Sequence, residues 1–224
     1  MSNEFGYDDL IDNPTTRVPV CLCLDTSGSM MGQPIEELNR GIQSFFKEVT
    51  EDEVARYAVD ICVVTFGDQG ARLLQDFCSL DTATCPHLMA NGGTPMGEAL
   101  TIALDKLGQR KQKYKDSGID YFQPWLVLMT DGQPNGNRTV LEEACHRTSS
   151  LQGEKKLTIF PIGVGNDADM KVLGRISPQR SPLKLSGLKF VEFFQWLGMS
   201  VSRTSQSIPG EKIELPPVSG WSTL

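Results

Sequence analysis

Several patterns that mark other classes of protein are missing from this sequence. The chain of 224 residues has two histidines, and its six cysteines include no C-x-x-C pair, so no paired-cysteine site is indicated. No apolar run approaches the ~20 residues that span a bilayer. The first residues lack the charged and apolar regions of a signal peptide. We therefore expect no membrane span, reduced cysteines and a cytoplasmic location.

Positive charge is also in the minority. The 21 Lys and Arg residues are outnumbered by 28 Asp and Glu residues, which gives a net charge of −7. The densest basic stretch, residues 110–115, suits the end of a helix, where cations interact favourably with the helix dipole. A nucleic-acid-binding protein usually carries a larger basic patch. No nucleic-acid partner is therefore expected.

The sequence does contain apolar runs that alternate with helical patterns. Strands are predicted at residues 18–24, 57–66, 71–80, 124–130 and 157–164. The second and third are joined by a turn too short for a crossover helix, so they should pair as a hairpin. Alternating strands and helices predict an α/β, Rossmann-like fold: a central, mostly parallel sheet with one antiparallel edge strand and helices on both faces.

The hydrophobic content of 39% supports one sizeable domain. Residues 1–16 are polar and are predicted to be a flexible lead-in, and residues 17–206 form the predicted domain. Residues 182–185 suit a short edge strand. The tail, residues 207–224, contains several Pro and Gly residues and cannot continue the last helix, so it is expected to pack on the domain or on a partner.

Polar residues follow two of the predicted strands and one loop. The first strand leads directly into Asp25, Ser27 and Ser29, and the fourth leads into Asp131. Thr94 follows two glycines, at or near the predicted N-cap of a helix. Ligands of parallel α/β sheets bind beyond the carboxyl ends of the strands, where these residues should meet. Their oxygens suit a hard divalent cation, and no nearby His or Cys favours zinc.

The same five residues form the pattern Asp-x-Ser-x-Ser followed by a Thr and an Asp. This pattern resembles the metal-ion-dependent adhesion site of von Willebrand factor A (VWA) domains, and the resemblance extends over residues 18–203. Within that family, segments 24–30, 92–95 and 129–132 are most similar to the bacterial TerY-like proteins of tellurium resistance and stress response.

The resemblance implies a role for each residue of the site. Ser27, Ser29 and Thr94 would bind a divalent cation through their hydroxyls, while Asp25 and Asp131 would bind it directly or through water. Mg²⁺ is the expected ion, with Mn²⁺ or Ca²⁺ as alternatives. An acidic residue of a partner protein would complete the coordination, so we expect a non-enzymatic protein-binding module.

The TerY-like resemblance further implies a scaffold or regulator in phosphorylation signalling, with a kinase or phosphatase as the partner. Two other functions use the same residues. One is a metal-dependent phosphohydrolase, although Asp25 lacks the second Asp of an aspartyl-phosphatase D-x-D motif. The other is an accessory subunit of an ATP-driven chelatase or remodelling complex.

A second glycine-containing loop, residues 163–168, imitates a dinucleotide-binding G-x-G-x-x-A sequence. It follows the fifth predicted strand rather than the first, so no nucleotide cofactor is expected there. Asn166, Asp167 and Asp169 are compatible with a second cation site or with a solvated turn and a helix N-cap, and we favour the turn.

Overall fold

The structure is a computed structural model that describes residues 10, 13–67, 69–211 and 213–223. Within these residues the backbone forms a seven-stranded sheet in the order β3-β2-β1-β4-β5-β6-β7. The four central pairings are parallel, whereas β3 pairs antiparallel with β2 and β7 pairs antiparallel with β6. The strands are β1 (Val18–Thr26), β2 (Val59–Gly67), β3 (Gly70–Ser79), β4 (Trp125–Thr130), β5 (Thr158–Val164), β6 (Leu183–Leu185) and β7 (Ser222–Thr223).

Helices cover both faces of this sheet. The described chain forms α1 (Gln33–Glu51), α2 (Ala55–Ala58), α3 (Met96–Asp116), α4 (Arg138–Gly153), α5 (Met170–Ile176) and α6 (Phe190–Ser205), with a 3₁₀ turn at Gly28–Met30. None of these helices is long and apolar enough to cross a membrane.

The residues of β1 are all buried, because helices pack on both sides of it. Successive side chains of a strand point to opposite faces. Val20 and Leu22 accordingly pack in a core with α1 and α6, and Cys21 and Cys23 pack in a second core with α3 and α4. The predicted α/β fold, with its mostly parallel sheet and helices on both faces, is confirmed.

The C-terminal tail adds a second antiparallel edge to the sheet. The short strand predicted at residues 182–185 is present as β6, but the prediction that it lies at the edge was wrong, because β7 pairs with β6 on its outer side. Trp221 is buried, with its ring 4.9 Å from that of Phe193 and 5.2 Å from that of Trp196. The Trp196 indole N–H donates to the Pro216 carbonyl at 2.7 Å. The tail therefore protects an edge that could otherwise pair with another chain.

A buried charge network ties the start of the sheet to α3. The Asp60 carboxylate accepts from Arg17 Nη1 at 3.2 Å and from Arg110 Nη2 at 2.6 Å. The Tyr114 hydroxyl also donates to Asp60. Burial raises the pKa of Tyr114, which keeps the hydroxyl protonated as a donor. All four side chains are buried, and the Asp60 carboxylate is shared by two desolvated guanidinium groups.

We predict that Asp60→Asn destabilises the protein by about 3–5 kcal/mol, because it removes the buried carboxylate that two buried guanidinium groups share. Urea denaturation at neutral pH measures this change. The matched control is Asp76→Asn, which breaks the exposed ion pair with Lys106 at 2.6 Å and should cost less than about 1 kcal/mol. Equal losses in the two variants would contradict the account.

Candidate metal centre

The Asp25 carboxylate is the most buried part of the candidate site. It lies at the end of β1, with none of its residue surface exposed. Its Oδ1 accepts from the Ser27 backbone N–H at 2.8 Å, and its Oδ2 accepts from Thr130 Oγ1 at 2.5 Å. The second bond forms because β1 and β4 are parallel neighbours that end at the same level of the sheet. Both oxygens of Asp25 are thus held by protein donors.

A chain of oxygen atoms continues outward from this carboxylate. Ser27 Oγ lies 3.0 Å from Ser29 Oγ, and Ser29 Oγ donates to Asp131 Oδ1 at 2.7 Å. Ser27 is buried, Asp131 is half-buried and Ser29 is exposed. The set therefore runs from the interior of the sheet to its surface.

Thr94 approaches the same point from the loop before α3. Asn135 Oδ1 accepts from the Thr94 N–H at 2.7 Å, and the Asn135 N–H donates to the Thr94 carbonyl at 3.1 Å. A methyl group placed on Gly132 would lie 3.8 Å from both Ser29 Oγ and Thr94 Oγ1. Since both hydroxyls lie in ordinary contact distance of one point, the structure brings all five predicted residues to one edge of the sheet.

Thr94 lies near the N-cap of α3, as predicted, but it is not the capping residue. Pro95 occupies the N-cap position of α3, and no side chain caps this helix. The Thr94 carbonyl accepts the Met96 N–H at 2.8 Å, so the backbone rather than the hydroxyl makes the local bond. The Thr94 hydroxyl is therefore not used as a helix cap.

The two carboxylates lack a cationic partner, since no ion pair among the described residues involves Asp25 or Asp131. Burial raises the pKa of Asp25, hydrogen bonds from Ser27 and Thr130 oppose that shift, and the charge of Asp131 adds to it. Burial raises the pKa of Asp131 as well, against the hydrogen bond from Ser29. A divalent cation would offset this negative charge.

The donor atoms fit a hard ion. Carboxylate and hydroxyl oxygens are the donors that Mg²⁺, Mn²⁺ and Ca²⁺ prefer, and neutral hydroxyls leave such an ion able to take a further anion. Among the described residues, no group of three or more His, Cys, Asp or Glu side chains is placed to hold a metal. The hydroxyls must therefore supply much of any coordination at this edge.

The structure adds two residues whose roles the sequence analysis missed. Thr130 orients the Asp25 carboxylate, and Asn135 fixes the Thr94 backbone. The sequence position of Thr130 could have indicated its place in the site, because it ends a predicted strand directly before Asp131. The sequence gives no such indication for Asn135, because nothing in its context distinguishes it from other polar loop residues.

The loop after β5 is a turn with a helix N-cap. The Asp169 carboxylate accepts from the N–H groups of Lys171 and Val172, each at 3.0 Å, and caps α5. Asn166 Oδ1 accepts from Lys184 Nζ at 2.8 Å. These two side chains are engaged locally, as the favoured interpretation of this loop predicts.

The sheet is mostly parallel, is covered by helices on both faces, and carries these oxygens at the carboxyl ends of its strands. These features define a class of α/β proteins that bind ligands at that edge of the sheet. Residues 20–186, most of the chain, match the von Willebrand factor type A domain. The chain belongs to that family.

The proteins to which this chain is similar differ widely from it in sequence. The uncharacterized protein sll0103 of Synechocystis sp. is 26% identical over 172 residues, which are 74% of this chain and 37% of that protein. The pilus adhesin SpaC from Lactobacillus rhamnosus GG, in an open conformation, superposes with a TM-score of 0.65 at 14% identity, over 85% of this chain and 30% of that chain.

The manganese-loaded TRAP protein of Plasmodium vivax gives a TM-score of 0.53 at 18% identity, over 80% of this chain and 73% of that one. At these identities the solved structures show the fold alone. This chain spans 37% of sll0103 and 30% of SpaC.

We predict that Thr130→Val, measured by urea denaturation in a chelator, destabilises the protein by about 1.5–3 kcal/mol, because a buried carboxylate oxygen loses its donor. The matched control is Thr148→Val. Thr148 is equally buried, but its hydroxyl donates at 2.9 Å to a neutral carbonyl, that of Cys145. That variant should lose about 1 kcal/mol. A Thr130 variant no less stable than this control would show that the bond to Asp25 contributes little.

Proposed function

We propose that this VWA domain binds a divalent cation at Asp25, Ser27, Ser29, Thr94 and Asp131, and that the ion captures a carboxylate of a partner protein. The observation that carries the proposal is the meeting of two carboxylates, unpaired with any described cation, and three hydroxyls at one sheet edge. VWA domains are commonly metal-dependent protein-interaction modules.

Each residue has a distinct part in this proposal. Ser27, Ser29 and Thr94 would hold the ion through their hydroxyl oxygens. The oxygens of Asp25 already accept hydrogen bonds from Ser27 and Thr130. Asp25 would orient the hydroxyls and supply negative charge from the buried side of the site. Asp131 would exchange its bond with Ser29 for contact with the ion or with a water on it. The ion, when bound, supplies a positive centre with a position open to an anionic group.

Mg²⁺ is the ion we propose, because it keeps several waters and needs few protein ligands. Mn²⁺ and Ca²⁺ are the alternatives, and Mn²⁺ gains support from the manganese-loaded TRAP protein among the solved structures of this fold. The titration described next compares Mg²⁺ with Mn²⁺ directly.

Two exposed methionines beside the site supply the apolar part of the proposed partner surface. Met31 is 62% exposed and Met89 is 82% exposed. Met31 directly follows the turn that carries Ser29, and both methionines line two neighbouring cavities of about 430 and 390 Å³. Methionine adapts its shape to different apolar side chains, which suits a binding surface.

The proposed setting is a cytoplasmic scaffold or regulator in bacterial tellurite-resistance or stress-response phosphorylation signalling, with a kinase or phosphatase as partner. This part rests on the TerY-like segments of the sequence. The proposed unit is residues 17–206, with a lead-in before it and a tail after it that packs on the domain.

We predict that calorimetric titration of the chelator-treated protein with Mg²⁺ and Mn²⁺ shows one saturable site. Affinity should fall by about tenfold or more in Ser27→Ala and in Asp131→Ala, because each removes an oxygen from the site. The control is Ser150→Ala, which removes an exposed hydroxyl that bonds Glu154. Binding unchanged in both site variants would place the ion elsewhere. Mg²⁺-dependent phosphate release that Asp25→Ala abolishes would favour the phosphohydrolase instead.

We predict that random peptides displayed on phage, selected in Mg²⁺ and eluted with a chelator, share an acidic residue next to an apolar one. The double variant Met31→Ser/Met89→Ser should lose the apolar preference and keep both the acidic residue and the affinity for Mg²⁺. Met199→Ser, at a methionine that is 45% exposed on α6, is the control. Peptides that lack acidic residues would contradict carboxylate capture.

A further inference from the structure

The end of the sheet opposite the candidate metal centre contains a cavity rich in positive charge. Its volume is about 580 Å³, within the range of about 300–1,000 Å³ typical of small-molecule sites. Its walls include the first residues of β4 and β5, Trp125 and Thr158, whereas the metal centre lies beyond the last residues of these strands. The cavity is therefore separate from the site already described.

Four cationic side chains line this cavity: Lys111, Lys155, Lys156 and Arg180. They come from three separate parts of the chain, and Glu211 is the one carboxylate among the described lining residues. A protein with a net charge of −7 thus concentrates positive charge at one concave place.

Arg180 is the least compensated of these cations. It is half-buried, its guanidinium carbon lies 4.6 Å from the centre of the Phe160 ring, and it makes no ion pair with any carboxylate of the described residues. Burial lowers the pKa of Arg180, which reflects the cost of removing its charge from water. An anion in the cavity would offset that cost.

The charges of the three lysines are only partly compensated by other groups of the protein. Lys156 pairs with Glu154 at 2.6 Å, and Lys111 Nζ donates to the Lys156 carbonyl at 3.5 Å. Burial and the neighbouring lysines lower the pKa of Lys111. Lys155 follows the end of α4 with φ of 54°, a left-handed conformation that favours glycine. A favourable helix dipole accounts for cations at the ends of α3 and α4, but it does not account for Arg180.

We propose that this cavity binds a phosphate-bearing ligand with more than one negative charge. Four cations and one carboxylate give the lining a net charge of +3. This excess matches a multiply charged anion, and lysine and arginine are the usual phosphate-binding side chains. Tyr121, half-buried on the cavity wall, offers a ring surface to an attached aromatic or apolar group. The ligand class therefore includes mononucleotides and inorganic polyphosphates, which share the phosphate chemistry.

The test is calorimetric titration of the full chain in a chelator, which silences the metal centre, with ATP, tripolyphosphate and citrate. We expect saturable binding of ATP or tripolyphosphate, weakened about tenfold by Arg180→Gln and by Lys111→Gln. Lys106→Gln, on α3 but paired with Asp76, and Arg147→Gln, paired with Asp105, remove the same charge elsewhere and should change affinity less than about twofold.

The comparison of ATP with tripolyphosphate distinguishes a nucleotide site from a site for a phosphate chain alone. Tighter binding of ATP that Tyr121→Ala weakens assigns the site to a nucleotide, and equal binding of ATP and tripolyphosphate assigns it to the phosphate chain. Citrate that binds as tightly as both would overturn a phosphate site. Absence of binding, or equal losses in the cavity variants and the two controls, would overturn the proposal as a whole.

Discussion

The geometry of the candidate metal centre depends on the buried carboxylate of Asp25. In the register of β1 and β4, Leu24 lies opposite Met129, so the two strands end together. The Thr130 hydroxyl then reaches Asp25, and Asp131 reaches Ser29. A buried carboxylate without an ionic partner is costly unless hydrogen bonds or a cation compensate it. The loops above the sheet supply the hydrogen bonds and leave room for the cation.

This arrangement places much of the site within reach of sequence reasoning. Apolar runs of the β1 and β4 kind mark buried parallel strands, and the residues that follow such strands must lie at one edge. Asp25, Ser27, Ser29 and Asp131 can therefore be grouped from the sequence alone. The parallel sheet and its antiparallel β3 follow from the same patterns and from the short turn between β2 and β3.

Other features depend on contacts that the local sequence does not encode. The support of Thr94 by Asn135 joins residues from separate loops. The two-residue strand β7 is too short for any periodic pattern, and its place follows from the docking of Trp221 against α6. The basic cavity was equally hidden, because Lys111, Lys155 and Arg180 lie far apart in a chain whose overall charge is negative.

The two ends of the sheet therefore have opposite electrostatic character. β4 has six residues, so the metal centre and the basic cavity are separated by about 20 Å at the rise of a strand. This exceeds the screening length of roughly 8 Å at physiological ionic strength, so the charges at one end have little direct effect on binding at the other. A cation with its carboxylate and a phosphate-bearing ligand can then bind independently.

The central claim is that a divalent cation binds among the hydroxyls at the carboxyl ends of β1 and β4. Crystals grown or soaked in Mn²⁺ test it most directly, because the anomalous scattering of manganese locates the ion without reference to the protein atoms. The account predicts one strong peak bordered by Ser27, Ser29 and Thr94, with Asp131 beside it. A strong peak elsewhere on the protein, with none at this edge, would contradict it.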